Sequence, residues 1–165
     1  MGPAGLTLTR VRDCKLVANP DRQAGRSTPA AREATMASHA AVERFLHAIE
    51  TATIASCDAW SADATLDATV PNWRLHASGP DAIRAEYARW FADPGHFDEL
   101  RRYPVGDGAG EVVEYTLSWS ENGVPHAAHH MHLLTLADGL IAADTVMCGG
   151  RWPAGLLAEM EAAGA

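Results

Sequence analysis

The sequence predicts an α+β domain in which helices come first and a curved antiparallel sheet follows, so that the two enclose one deep pocket. Residues 41–54 and 82–92 show apolar side chains at helical spacing. The second half instead alternates apolar and polar residues, with turn signals at Asn122-Gly123 and Asp138-Gly139. Helices followed by consecutive hairpins are typical of the α+β class.

The first helix is predicted from an apolar stripe that includes Phe45 and Ile49, with Ser38 as its N-cap. A short helical turn is expected at residues 56–60. The second helix opens at Pro80-Asp81 and carries Tyr87 and Trp90 on its apolar face. Together the two helices supply one wall of the predicted pocket.

Strands are predicted wherever apolar and polar residues alternate, and the residues between the first strand and the second helix, 71–80, are expected to be a loop. The predicted strands cover residues 64–70, 96–103, 111–120, 124–136 and 140–148. A short terminal helix is expected at residues 155–162. The last four strands would form an antiparallel meander.

Composition excludes several classes of function. The chain has 165 residues and a net charge of −8, and only residues 1–35 carry more basic than acidic side chains. An acidic body disfavours nucleic acid and anionic membrane surfaces, since both are bound by clustered Lys and Arg. No apolar run reaches the ~18 residues of a membrane span. We expect a cytoplasmic protein without nucleic-acid or membrane partners.

Residues 1–36 are set apart by their mixture of Gly, Pro, Ser and Arg without periodicity. They are expected to be a disordered extension, or to precede the working initiator Met36, so that the folded domain is residues 37–165. Three cysteines are too few for a disulfide framework. Cys57 and Cys148 are expected to be buried small hydrophobic residues.

Four short stretches, taken in their order and spacing, resemble the nuclear transport factor 2-like superfamily in its SnoaL-like branch. They are Ala41-Val-Glu-Arg-Phe-Leu46, Ser61-Ala-Asp-Ala64, Gly79-Pro-Asp-Ala-Ile83 and Leu134-Thr-Leu-Ala-Asp-Gly-Leu-Ile141. The resemblance covers roughly residues 37–150. It implies a cone-shaped α+β barrel with a deep pocket, present as a homodimer. It also implies a polyketide cyclase, ketosteroid isomerase, dehydratase or a protein without chemistry.

The strongest chemical signal is the segment from His126 to His132, which contains four histidines. On a strand, His130 and His132 share one face, and imidazole exchanges protons near neutral pH. The face taken by Asp144 depends on the turn at Asp138-Gly139. A two-residue loop would place Asp144 opposite Leu133, whereas a bulged turn would place it opposite His132, and the bulged turn is favoured.

In the favoured register Asp144, His132 and His130 form the predicted catalytic group. SnoaL-like cyclases, by resemblance, use an Asp on the last strand as acid and base. No metal is expected, although two imidazoles and one carboxylate are a chemically sensible metal site. A structural role, in which these histidines satisfy one another and backbone groups, also remains open.

A second group of residues is predicted to bind substrate, because it combines aromatic rings that can stack on a flat molecule with polar groups near the expected pocket. Its members are Trp60, Asp67, Asn72, Trp73, Tyr87, Trp90, Glu114 and Ser118.

The sequence therefore predicts a cofactor-free cyclase, isomerase or dehydratase acting on a hydrophobic aromatic or polycyclic small molecule. Asp144 would move the proton, and His132 and His130 would polarise a carbonyl or hydroxyl group. The alternative is a non-catalytic small-molecule-binding or dimerisation module with the same fold.

Overall fold

A computed structural model describes residues 29–164, which fold into three α-helices and six strands. The helices are α1 (Pro29–Glu50), α2 (Pro80–Trp90) and α3 (Ala154–Ala163). The strands are β1 (Trp60–Val70), β2 (Trp73–Ser78), β3 (Gly95–Val105), β4 (Gly110–Glu121), β5 (Val124–Ala137) and β6 (Leu140–Pro153). The predicted α+β class is confirmed. The extension was expected over residues 1–36; α1 begins at Pro29, before that boundary, and residues 1–28 lie outside the described residues.

The six strands form one curved sheet in the order β2-β1-β6-β5-β4-β3. The prediction of a wholly antiparallel sheet is wrong, because β1 pairs with β6 in parallel. The loop predicted for residues 71–80 is also wrong, since β2 lies there and pairs with β1. The sheet is therefore mixed. The β1–β2 hairpin precedes helix α2 in the chain.

The sequence patterns predicted that the helices exist, but they did not predict where α1 begins. Ser38, predicted as an N-cap, lies inside α1, which starts at Pro29 and ends at Glu50. The short turn after it is a 3-10 helix at Ile54–Ser56. Helix α2 starts with proline at its first position, as predicted. None of the helices in residues 29–164 is long and apolar enough to cross a membrane.

The core lies between α1, α2 and one face of the sheet, which we call the inner face. Phe45 of α1 stands at its centre, with ring-centroid distances of 5.3 Å to Trp60 and 5.4 Å to His132. Alternation along β4 directs Val113, Tyr115 and other odd-numbered side chains to this face. The polar side chains described next lie on this inner face, next to α1 and α2.

Candidate functional site

Strands β5 and β6 place His130, His132 and Asp144 on the inner face, where all three are buried. They are 3%, 0% and 1% exposed, respectively. The structure thus brings together the three residues of the predicted catalytic group. They lie beside α2 and the core.

The register that achieves this differs from both registers considered from the sequence. Asp138 and Gly139 both have positive φ, 50° and 78°. This pattern belongs to a two-residue type I′ hairpin, so the favoured bulged turn is wrong. A bulge one step later, at Ala142, shifts the pairing so that Asp144 lies opposite Leu134. Because residues two apart share a face, Asp144 remains on the side of His132.

Asp144 accepts hydrogen bonds from two side chains. The Tyr87 hydroxyl of α2 donates to Oδ2 at 2.6 Å. Nδ1 of His132 lies 3.0 Å from Oδ1 and 3.2 Å from Oδ2. The carboxylate is thus held by one helix and one strand, which fixes its orientation inside the core.

The Tyr115 hydroxyl links the two inner histidines. It lies 3.0 Å from His132 Nε2 and 3.0 Å from His130 Nδ1. At the far end, His130 Nε2 lies 3.2 Å from Cys148 Sγ. One continuous hydrogen-bonded chain therefore runs from Asp144 through His132, Tyr115 and His130 to Cys148, and we call it the polar relay.

The chemistry of the groups assigns a single direction to this relay. A carboxylate only accepts, so His132 donates from Nδ1, and with His132 neutral its Nε2 accepts from the Tyr115 hydroxyl. The Tyr115 oxygen then accepts from His130 Nδ1, and His130 Nε2 accepts from the Cys148 thiol. Each hydrogen of the relay therefore points towards Asp144.

Burial shifts the pKa of His130 and of the two tyrosines at the site. Desolvation, reinforced by the neighbouring histidines, lowers the pKa of His130 to about 3, so its imidazole is neutral at pH 7. Burial, together with the charge of Asp144, raises the pKa of Tyr87 and of Tyr115 well above the usual value. Both tyrosines are consequently hydroxyl donors throughout the physiological range.

A pocket of about 250 Å³ opens at the Cys148 end of the relay. Its apolar wall is formed by Trp90, Phe91, Leu117, Trp119, Ala128, Val70 and Pro71. His130 and Cys148 line it, together with Gly150 and the side chains of Arg89 and Arg151. Asp144 and His132 do not line it and lie behind His130. The pocket thus meets the relay only at its outer end.

Of the residues predicted to bind substrate, only Trp90 lines this pocket. Tyr87 reaches the site indirectly, through its hydrogen bond to Asp144. Trp60 is instead a core residue packed against Phe45. Trp60 therefore does not line this pocket, because its strand turns the ring towards α1.

Asp67, Asn72 and Trp73 also lie away from the pocket. Asp67 is on the opposite face of β1, where the Arg74 guanidinium hydrogen-bonds it and holds the pKa of that carboxyl below its usual value. Asn72 forms the β1–β2 turn with φ 63°, and Trp73 is 71% exposed. These three side chains do not line the pocket, because the segment is a hairpin of which Val70 and Pro71 face the pocket.

Glu114 and Ser118, the two polar β4 residues predicted to bind substrate, do not line this pocket. Both belong to the even-numbered residues of β4, which point to the outer face. Glu114 lies 3.3 Å from His129 Nε2, and Ser118 donates to Asp98 at 3.2 Å. The β4 residue that joins the relay is the odd-numbered Tyr115.

Most residues that line the pocket were not predicted as site residues, and neither was Tyr115 of the relay. Tyr115 had a detectable signal, since alternation puts it on the same face as Val113 and Leu117. Cys148 was expected to be an inert buried residue, but it lines the pocket and contacts His130. Arg151 follows a bulge at Gly149-Gly150. The bulge changes the direction of the side chains that follow it, and no local sequence pattern predicts this change.

The possible metal site does not assemble from the residues that suggested it. Among the side chains that the structure describes, in residues 39–106 and 108–164, no three His, Cys, Asp or Glu residues are grouped so as to hold one ion. The inner ring nitrogens of His130 and His132 face Tyr115 and Asp144 instead. The geometry is that of a hydrogen-bonded network.

Comparisons with known proteins identify similar folds but no sequence relative. No family model matches the chain, and no curated protein matches it. Among solved structures, an NTF-2-like protein of unknown function from Burkholderia xenovorans has a TM-score of 0.52 at 19% identity. The match covers 69% of this chain and 84% of that one.

Two further structures are similar at low identity. A candidate polyketide cyclase from Xanthomonas campestris has a TM-score of 0.56 at 13% identity, covering 69% of this chain and 91% of its own. A Catenulispora acidiphila protein with a ketosteroid isomerase-like fold, solved with trimethylamine, has a TM-score of 0.52 at 19% identity. That match covers 64% of this chain and 82% of the other.

Proposed function

Because the chain has the nuclear transport factor 2-like fold, which carries many activities, we propose its function from the site and not from the fold. We propose an acid–base enzyme that removes and returns a proton beside a carbonyl group in a small apolar or aromatic molecule. The observation that carries this proposal is the polar relay, which connects the pocket to a buried carboxylate.

The relay explains how a histidine with a pKa of about 3 could act as a base. A proton arriving at His130 Nε2 would not stay there. His130 would pass its Nδ1 proton to the Tyr115 oxygen, and Tyr115 would pass its hydroxyl proton to His132 Nε2. The proton would then rest on His132, whose Nδ1 lies 3.0 Å from Oδ1 of Asp144.

This arrangement divides the work between residues that touch the substrate and residues that support them. His130 would be the catalytic residue, since it lines the pocket, and the Cys148 thiol would turn aside by side-chain rotation to free Nε2. His132, which is hydrogen-bonded to Asp144, would receive the proton from His130 through Tyr115. The predicted role of Asp144 is kept, but it is exercised through the relay.

The pocket narrows the substrate class predicted from the sequence. Its volume is about 250 Å³. Pockets for drug-sized ligands begin at roughly 300 Å³, so this one is smaller than theirs. We therefore propose a substrate of one or two rings and not a large polycycle. Trp90, Phe91 and Trp119 would stack on the rings and exclude water.

The test is exchange of the α-protons of cyclohexanone and 1-indanone for deuterium, followed by NMR in D2O. The wild type is expected to accelerate exchange, and Asp144→Asn to lose roughly 100-fold of that acceleration. His129→Asn is the matched control, because His129 lies on the same strand but on the outer face. Circular dichroism checks that each variant is folded.

Two outcomes would overturn the proposal. If a folded Asp144→Asn variant exchanges as fast as the wild type, the buried carboxylate has no part in the chemistry. If the wild type binds these ketones, seen as NMR line broadening, but exchanges no proton, the fold serves as a binding module. That second result would favour the non-catalytic alternative.

A further inference from the structure

We propose that Cys148 and His130 form a thiol–imidazole pair that adds covalently to small cyclic α,β-unsaturated carbonyl compounds held in the pocket. The two side chains meet at 3.2 Å between Sγ and Nε2, and both line the pocket. A nucleophile within hydrogen-bond reach of a base is the arrangement that covalent chemistry requires. This inference concerns a bond to the protein and does not depend on the proposed proton exchange.

The backbone around Cys148 is shaped to hold the sulfur at this position. Gly149 and Gly150 together face one residue of β5, which makes a bulge. The Gly150 backbone, at φ 94°, directs its N–H to Cys148 Sγ at 3.3 Å. A Cβ at Gly150 would lie 2.9 Å from Pro71, so glycine is required here for both conformation and space.

The pair rests in its neutral form. Burial raises the pKa of Cys148, although the Gly150 N–H partly opposes this, and burial lowers the pKa of His130. The sulfur therefore rests as a thiol. It would become nucleophilic only when a bound electrophile accepts the S–C bond as His130 takes the proton.

The reaction balances without any further reactant. The Cys148 sulfur forms a bond to the β-carbon, and the electron pair of the C=C bond moves to the α-carbon and carbonyl oxygen as an enolate. His130 Nε2 takes the thiol proton and then returns it to the α-carbon. The net change is addition of S–H across the double bond, so the protein gains the mass of the whole ligand.

The walls indicate why the ligand would be a small cyclic carbonyl compound. Trp90, Phe91 and Trp119 offer apolar and aromatic surface to a ring. Arg89 and Arg151 line the same pocket and carry N–H donors suited to an oxygen that becomes negative during addition. An unsaturated ketone of one ring combines both features within the available volume.

Cys57 provides an internal reference for the assignment. It is buried away from the pocket, and its sulfur contacts the Arg44 carbonyl oxygen at 3.7 Å. Desolvation raises the pKa of both thiols, and Cys57 is buried whereas Cys148 is half-buried, so a difference in labelling would report access to the pocket and contact with His130.

The experiment incubates the full chain with 2-cyclohexen-1-one and measures intact mass and the modified peptides. We expect the adduct on Cys148 to form faster than any on Cys57. His130→Asn should slow its formation roughly 100-fold, whereas the outer-face control His129→Asn should not change it. Saturated cyclohexanone, which occupies the pocket but cannot add, should slow labelling of Cys148 and leave any labelling of Cys57 unchanged.

The proposal is overturned if native protein forms no Cys148 adduct under conditions that label the urea-unfolded chain. It is also overturned if folded His130→Asn labels at the wild-type rate, or if cyclohexanone gives no protection. The cyclohexanone arm uses wild-type protein, so the test survives a variant that fails to fold. If the Cys148 adduct forms but no α-proton exchange is seen, the proposed function is refuted and this inference stands. If exchange is seen but no adduct forms, this inference is refuted and the proposed function stands.

Discussion

Replacing Tyr115 by phenylalanine removes one oxygen atom and cuts the polar relay at its centre. The ring remains and still fills its place against Phe97, at 4.9 Å between centroids, so little cavity forms. What changes is the hydrogen bonding of His130 Nδ1 and His132 Nε2, each 3.0 Å from the lost hydroxyl. Both nitrogens are buried and would be left without that partner.

The magnitude follows from those two nitrogens. A buried polar group deprived of its partner costs about 1–3 kcal/mol. Two such groups together would cost about 2–6 kcal/mol. Because the side chains can partly relax, we expect a loss of about 2–4 kcal/mol in the free energy of unfolding. For a chain of this size that loss corresponds to a fall in Tm of about 4–16 °C.

Urea unfolding followed by tryptophan fluorescence measures this change, with the urea slope checking that the unfolded state is the same. Tyr103→Phe is the matched control, since Tyr103 is half-exposed on β3. Its change should stay within about 0.5 kcal/mol. A Tyr115→Phe variant as stable as that control would refute the bridging role of the hydroxyl. Ketone α-proton exchange should fall in the same variant.

Three further predictions concern other groups. Tyr87→Phe should cost about 1.5–3 kcal/mol in urea unfolding, because the Asp144 carboxylate loses a 2.6 Å hydrogen bond. The pKa of His130 is about 3 in the folded protein, below its unfolded value, so the stability it contributes is present above about pH 6.5 and lost as pH falls. The loss should approach about 1.4 kcal/mol per pH unit between about pH 6 and 3.5, measured by urea unfolding at each pH. We also propose a homodimer formed through the outer face, where Met131 and Met147 are paired and exposed, so that changing both to Glu should yield monomers in analytical ultracentrifugation.

Each of these has its own control. For Tyr87→Phe, a loss no larger than that of Tyr103→Phe would show that the hydroxyl does not support the carboxylate. For the pH dependence, the free energy of unfolding of His130→Asn should fall less steeply below about pH 6 than that of the wild type. An unchanged slope would show that other groups cause the loss of stability in acid. For the dimer, Val124→Glu alters an exposed apolar residue at a hairpin end, and loss of the dimer in that variant would move the interface away from the methionines.

Local patterns were enough to predict most of the β-structure. The alternation along β4 and β5 fixes which side chains share a face, and Asn122-Gly123 fixes the turn between them. The pairing of these strands follows directly from that turn. The residue-level grouping of His130 with His132 needed no more than a period of two.

Other features depend on contacts between distant segments. Strand β2 was expected to be a loop because Pro71 and Asn72 suggest a turn without indicating a returning strand. The parallel pairing of β1 with β6 joins segments far apart in the chain, and nothing in either segment names its partner. Trp60 and Trp73 were predicted at the pocket because the sequence does not reveal how β1 pairs with β2 and β6.

The sequence alone determined the class of the fold, the strand faces and the identity of a histidine–carboxylate group, because these follow from periodicity and residue chemistry within short segments. Only the tertiary structure decided that Asp144 lies behind His130, that Tyr115 joins them and that Cys148 faces the pocket. The physical reason is that a single inserted residue, as at Ala142 and at Gly149-Gly150, shifts the register of a strand, and such bulges are selected by packing against neighbouring elements.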